Sequence, residues 1–83
     1  TKALARDYGE HGIRVNAILP GWVATDRQLA SWFTQEEQVK WMEAMALKKL
    51  VTPNDVANLA LFLAADESSM ITGQSIKIDG GRL

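Results

Sequence analysis

IRVNAILPGWVAT, Ile13 to Thr25, is the stretch on which the reading of this chain turns. Ile13, Val15, Ala17 and Leu19 alternate with Arg14, Asn16 and Ile18, the period-two signature of a strand. Pro20 and Gly21 end it, since proline lacks the N–H a ladder needs and glycine allows a backbone angle or close approach that side chains forbid. Trp22-Val23-Ala24-Thr25 then leads directly into a helical pattern. A strand that stops abruptly before a helix leaves its C-terminal end open, where α/β sheets place their ligands.

Working outward, Thr1 to Glu10 reads as the end of a helix, with Leu4 and Tyr8 one turn apart on an apolar side and Gly9 or Gly12 available as a left-handed cap. Downstream, Thr25-x-x-Gln28 has capping-box spacing and opens a short helix with Leu29, Trp32 and Phe33 on one side. Thr34-x-x-Glu37 repeats the device and predicts a second helix to about Leu47, with Val39, Met42, Met45 and Ala46 aligned. Lys48 and Lys49 follow, where a helix C-terminus favours cations. Thr52-Pro53-Asn54-Asp55 is the clearest helix start: Thr caps, Pro takes the first position, and Asp55 meets the positive end of the dipole. Val56, Leu59, Ala60 and Leu63 form that helix's stripe. Ala57, Phe62 and Ala64 widen it enough to imply burial on more than one side. After a polar loop at Asp66 to Ser69, Gly73 permits a turn into a strand at Gln74 to Asp79, with Ile76 and Ile78 on one face, and Gly80 and Gly81 release the chain.

Two strands joined by a long helical crossover make a βαβ unit with parallel strands. The fold class is therefore α/β. Two parallel strands make a poor sheet alone, because both outer edges stay unpaired. With the chain starting at Thr1 in a helix already under way, the expectation is one segment, residues 1–83, of a larger Rossmann-like, doubly wound parallel sheet.

Composition sets outer limits. The 83 residues are 47% apolar and 23% charged, an ordinary globular balance. Nine basic and ten acidic residues are interspersed, so no nucleic acid or anionic membrane is expected as a partner. No run reaches the roughly 18 apolar residues of a membrane helix, no signal peptide is visible, and cytoplasmic is the default location. Without cysteine there is neither a disulfide framework nor a thiolate zinc site, and no carboxylates are spaced for metal binding or paired for acid–base work. The six glycines are too scattered for a phosphate loop.

IRVNAILPGWVAT resembles a segment near the C-terminal end of short-chain dehydrogenases/reductases, roughly I-R-V-N-x-I-x-P-G-x-V-x-T. ITGQSIKIDGG, Ile71 to Gly81, resembles that family's terminal strand, and TKALA at Thr1 to Ala5 the latter part of its catalytic Tyr/Lys helix. The three parts stand in the family's order across almost the whole chain. The resemblance implies an NAD(P)-dependent oxidoreductase moving hydride between nicotinamide and an alcohol or carbonyl substrate, with NAD or NADP as cofactor. It also implies that the catalytic Ser, Tyr and Lys lie upstream of Thr1, so that the 83-residue chain alone is inactive. Tyr8 is followed four residues later by Gly12, not Lys, and Lys2 falls after the catalytic Lys position, so neither is catalytic.

Pro20, Gly21, Val23 and Thr25 occupy the family's coenzyme-binding positions. A carboxamide, with one carbonyl and one NH2, is well read by a main-chain N–H and C=O, as from Val23, with the Thr25 hydroxyl near the pyrophosphate. The competing reading is a plain strand terminus followed by a Thr cap. Residues 26–47 correspond to the family's mobile substrate lid. Trp22, Gln28 and Trp32 are the substrate-binding candidates, against a core role for the tryptophans and surface solvation for Gln28. PGWVATDRQ with Trp32 is similar to pentose-oxidising aldose 1-dehydrogenases, so a sugar is the favoured small-molecule substrate. A 3-oxoacyl reductase, or a non-catalytic self-association piece, are the alternatives. The family pairs through its last helix and strand, here Thr52 to Ala65 and Gln74 to Asp79, giving a homo-oligomer (dimer or tetramer). Asn16 is read as stabilising the sheet, and His11, between two glycines, as solvated.

Overall fold

The computed structural model describes residues 1–25 and 34–82. In chain order the elements are α1 (Lys2–Gly9), β1 (Ala17–Pro20), α2 (Gln35–Glu43), α3 (Pro53–Ala64), a short 3-10 helix (Asp66–Ser68) and β2 (Ser75–Ile78). β1 and β2 pair in parallel, Ala17 opposite Ser75 through Pro20 opposite Ile78, which gives the expected α/β crossover unit. The short helix read as starting at Thr25 falls on residues 26–33, including Gln28 and Trp32, which lie outside the described residues.

β1 is shorter than its sequence pattern. The alternation begins at Ile13, yet the ladder begins only at Ala17. Gly73 has φ +72°, so the chain bends just ahead of β2 and residues 71–74 cannot extend the ladder. Side chains and single backbone bonds join the two segments there instead. Val15 N–H donates to Thr72 Oγ1 at 3.0 Å, and Gly73 N–H donates to the Val15 carbonyl at 2.8 Å. Asn16 has the structural role expected of it: its Nδ2 donates to the Ile71 carbonyl at 2.9 Å, while its Oδ1 accepts from Gln74 N–H at 3.1 Å. The buried face also differs. Ile18, Ile76 and Ile78 share the half-buried side, whereas Ile13 and Leu19 are exposed.

Arg14, which the alternation places among the non-core positions, ties the two ends of the crossover together. Its Nη1 donates to the Leu63 carbonyl at 2.8 Å and to Ser68 Oγ at 3.1 Å, and its Nη2 to the Ala65 carbonyl at 3.4 Å. The last carbonyls of a helix have no partner within it and sit at the negative end of its dipole. Arg14 thus caps α3 from a residue next to β1. Ser68, with no exposed surface, places its hydroxyl 3.0 Å from both the Leu63 and Ala65 carbonyls and shares one proton between them.

The N-terminus of α3 follows its sequence closely. Asp55 N–H donates to Thr52 Oγ1 at 3.2 Å and Thr52 N–H to Asp55 Oδ2 at 2.8 Å, with Pro53 in the first turn. α2 departs from its sequence. Thr34 caps it by accepting from Glu37 N–H at 3.1 Å, but the helix stops at Glu43, well before Leu47. Ala46 N–H instead donates to the Gly81 carbonyl at 3.2 Å and Leu47 N–H to the Gly80 carbonyl at 2.8 Å, which draws this segment off the helical path. Lys48 closes the end as its charge suggests, its Nζ donating to the Met42 and Glu43 carbonyls at 3.2 and 3.1 Å. Met45 becomes the most buried apolar side chain described, while Val39 faces solvent. In α1 the buried residue is Ala5 rather than Leu4 or Tyr8, and the left-handed glycine after it is Gly12.

Only Ala5, Met45 and Val51 form a buried apolar core among the described residues, and Leu61, Phe62 and Met70 stand exposed. The radius of gyration is 15.6 Å, against about 12 Å for a compact domain of this length. The chain presents broad apolar faces without covering them.

Arg14→Ala leaves a ring of part-buried acceptors without a donor and is expected to lower unfolding free energy by about 2–3 kcal/mol. Arg14→Lys should restore less than half of that, since an ammonium cannot fork to two carbonyls. Urea unfolding of the protein carrying this chain checks both, and a loss below about 0.5 kcal/mol would discard the role. The backbone and hydroxyl bonds from Thr52, followed by the nearby Lys49 charge, hold the Asp55 carboxyl below its ordinary value of 3.8. A depressed carboxylate contributes stability that is complete above the unfolded-state pKa and fades as pH falls through the folded one. The melting temperature of wild type should therefore approach that of Asp55→Ala as pH drops below 3.8. A wild-type to Asp55→Ala gap that stays constant through this range would refute it.

Candidate functional site

The site is built where β1 runs out. Ala17 N–H donates to the Gln74 carbonyl at 2.8 Å and Gly21 N–H to the Ile78 carbonyl at 3.0 Å. In a parallel ladder alternate residues address opposite edges, so Ala17, Leu19 and Gly21 serve β2 while Ile18 and Pro20 face the other way. Pro20 can therefore be the last strand residue, because the N–H it lacks falls on the edge away from β2. Gly21 is required by crowding rather than by its backbone angle, which lies outside the left-handed region. A Cβ there would meet Asp79 Cβ at 3.0 Å and Asp79 Cα at 3.1 Å.

Beyond Gly21 the chain makes one further parallel contact, between Val23 and the buried Val51, in which Ala24 N–H donates to the Val51 carbonyl at 2.7 Å. By the same alternation, Val23's own N–H and C=O face away from Val51. The Val23 carbonyl accepts from Thr25 N–H at 3.0 Å, which uses one of its two lone pairs. Among the described residues the Val23 N–H meets no acceptor.

A groove of about 450 Å³ opens beside this turn. Pro20, Gly21 and Trp22 form one wall, Trp41 of α2 another, and Lys77, Asp79 and Arg82 line the β2 side. Trp22 and Trp41 meet edge to face, centroids 5.2 Å apart at 88°, and the Arg82 guanidinium lies 3.8 Å from the Trp41 ring centre. Of the sequence candidates, Pro20, Gly21 and Trp22 converge on the groove. Val23 and Thr25 stand on the adjoining turn, and Gln28 and Trp32 lie outside the described residues. The sequence gives no role to Lys77, Asp79 or Arg82, which reach the groove through the parallel pairing and the turn at Gly80 and Gly81. A smaller cleft of about 280 Å³ between Val51 and the start of α3 is bordered by Lys49 and Asp55, and the Asp55 carboxylate there is already committed to capping. No group of three metal-binding side chains occurs among the described residues.

Residues 1–82 match the family described as enoyl-(acyl carrier protein) reductase. The chain belongs to the short-chain dehydrogenase/reductase family. It is 44% identical over 81 residues to a probable galactose dehydrogenase of Rhizobium meliloti (strain 1021), covering 98% of this chain and 32% of that one. The D-xylose 1-dehydrogenase of Caulobacter vibrioides (strain NA1000 / CB15N) matches with the same 44% identity and the same coverage. A solved 3-oxoacyl-[acyl-carrier protein] reductase with bound NAD from Brucella melitensis superposes with a TM-score of 0.85 at 36% identity, covering 99% of this chain and 28% of that one. This short-chain dehydrogenase/reductase chain therefore spans about a third of the length of the curated relatives it matches.

Gly21→Ala forces Asp79 and the end of β2 apart and is expected to cost about 1–3 kcal/mol. Gly9→Ala, where a Cβ meets nothing within 4 Å, is the control and should leave stability unchanged or slightly raised. Thermal melts of the two variants check this, and equal melting temperatures would remove the crowding argument.

Proposed function

We propose that this chain is the nicotinamide- and substrate-facing C-terminal part of an NAD(P)-dependent oxidoreductase that moves hydride between its coenzyme and an alcohol or carbonyl carbon. The observation that carries this is the Val23 main chain, turned away from Val51 just past the broken end of β1. Its N–H and the remaining carbonyl lone pair match the one acceptor and one donor face of a carboxamide. The donor set fits. Pro20 and Gly21 set where that edge begins, and Thr25 adds a hydroxyl beside it. When bound, NAD or NADP would supply the hydride chemistry. This chain's residues would fix the ring's amide and wall off one side of it with Trp22.

The sugar dehydrogenases among its relatives support an aldose as substrate, and the 3-oxoacyl reductase supports a 3-oxoacyl thioester equally well. The substrate-lid role is assigned to residues 26–47 on the family resemblance. The uncovered Leu61 and Phe62 of α3 favour self-association through residues 52–65 and 74–79, a homo-oligomer in which those faces are buried. No helix described is long and apolar enough to cross a membrane, which is compatible with a cytoplasmic enzyme. The catalytic Ser, Tyr and Lys would come from chain preceding Thr1, and the exposed Leu4, Ile13 and Leu19 are apolar surface that such chain would cover.

Val23→Pro removes the shelf N–H and should weaken coenzyme binding in the intact protein by about 1–3 kcal/mol, read as a smaller NAD(H)- or NADP(H)-induced rise in melting temperature. The 83-residue chain alone should show no coenzyme-induced shift. Undiminished coenzyme affinity in Val23→Pro would end the shelf assignment.

A further inference from the structure

Arg82 lines the groove, and two positions whose backbone would be strained for any residue but glycine place it there. Gly80 and Gly81 have φ +65° and +74°, a region that side chains rarely adopt. Their carbonyls accept from Leu47 and Ala46 N–H, and Gly81 N–H donates to Asp79 Oδ1 at 3.0 Å. A Cβ on Gly81 would fall 2.8 Å from Ala46 Cβ, and one on Gly80 would collide with Met45. The tail is therefore held against the chain that leaves α2, and its next residue turns back over the α2 indole. Arg82 lies 3.8 Å above Trp41, whose ring meets Trp22 edge to face at 5.2 Å. Trp22 stands between Gly21 and Val23, on the wall of the groove.

We infer that Arg82 is a positioning residue: through Trp41 it fixes the Trp22 indole beside the Val23 turn and so sets how tightly substrate is held. A cation over an aromatic face restrains the ring's tilt, and a T-shaped pair passes that restraint to its neighbour, because the edge of one ring must meet the face of the other. α2 is short and half-exposed, so the tail contacts and the indole pair are what hold it at the groove. The inference rests on the proposed site only for its effect on substrate, since the link from Arg82 to Trp22 is independent of any coenzyme.

The test uses the intact protein labelled with 5-fluorotryptophan, with Arg82→Gln, Arg82→Lys and Trp41→Leu as variants. In the absence of coenzyme, Arg82→Gln and Trp41→Leu should both shift the Trp22 fluorine resonance, assigned from Trp22→Phe, and Arg82→Lys should return most of the shift. With D-xylose, D-galactose and an acetoacetyl thioester as probes, Arg82→Gln should raise KM about 5- to 20-fold for the probe turned over. Its kcat and the coenzyme dissociation constant should stay within about twofold. An unmoved Trp22 resonance in Arg82→Gln overturns the inference, as does an unchanged KM. A loss of coenzyme affinity as large as the rise in KM overturns it too, while leaving the Val23 assignment standing. Failure of Val23→Pro to weaken coenzyme binding would instead remove the shelf and leave the Trp22 shift to be explained by Arg82.

Discussion

The Arg14 guanidinium is the contact on which the crossover depends. One charged group next to the first strand reaches the last carbonyls of α3 and the buried Ser68 hydroxyl. It thereby fixes where the helix ends relative to the strand it must pack on. A parallel pair has no hairpin to set its register, so something across the crossover must. Here Arg14 holds the helix end, and two residues on, Asn16 clips Ile71 and Gln74. Together they bring Ser75 opposite Ala17, and every later pairing follows.

That register carries through to the site. With Pro20 opposite Ile78, Gly21 falls against the Asp79 backbone, and only a residue without a side chain fits the gap. The chain can then turn without leaving β2 and lay Val23 beside Val51. The outward turn of the Val23 main chain is thus a product of packing. No side chain is needed to present that main chain, and the coenzyme role proposed for Val23 rests on this backbone geometry.

Much of the fold is legible in the sequence alone. Thr52 and Asp55 announced a helix start because capping is local chemistry between residues three apart. Ile76 and Ile78 announced a strand face, Gly73 a turn, and Asn16 a stitch in the sheet. What was missed has one cause. Ala46 and Leu47 continue a helical pattern, and nothing nearby says that carbonyls more than 30 residues later will claim their N–H groups. Arg14 sits in an alternating run where a charge reads as facing outward, and its acceptors lie about 50 residues away. Arg82 looks like a loose terminal cation until Trp41 is found beneath it. Local signals set the elements, and long-range bonds set where they stop.

The same long-range pairing has a consequence for how the protein is made. Asn16 and Gln74, which begin the union of the two strands, are 58 residues apart. At roughly 5–20 residues per second, a ribosome leaves the first strand waiting about 3–12 s for its mate. Throughout that interval Ala17 to Leu19 has no β2 to pair with. The β2-facing edge of the first strand is therefore closed only after Ile78 has been made.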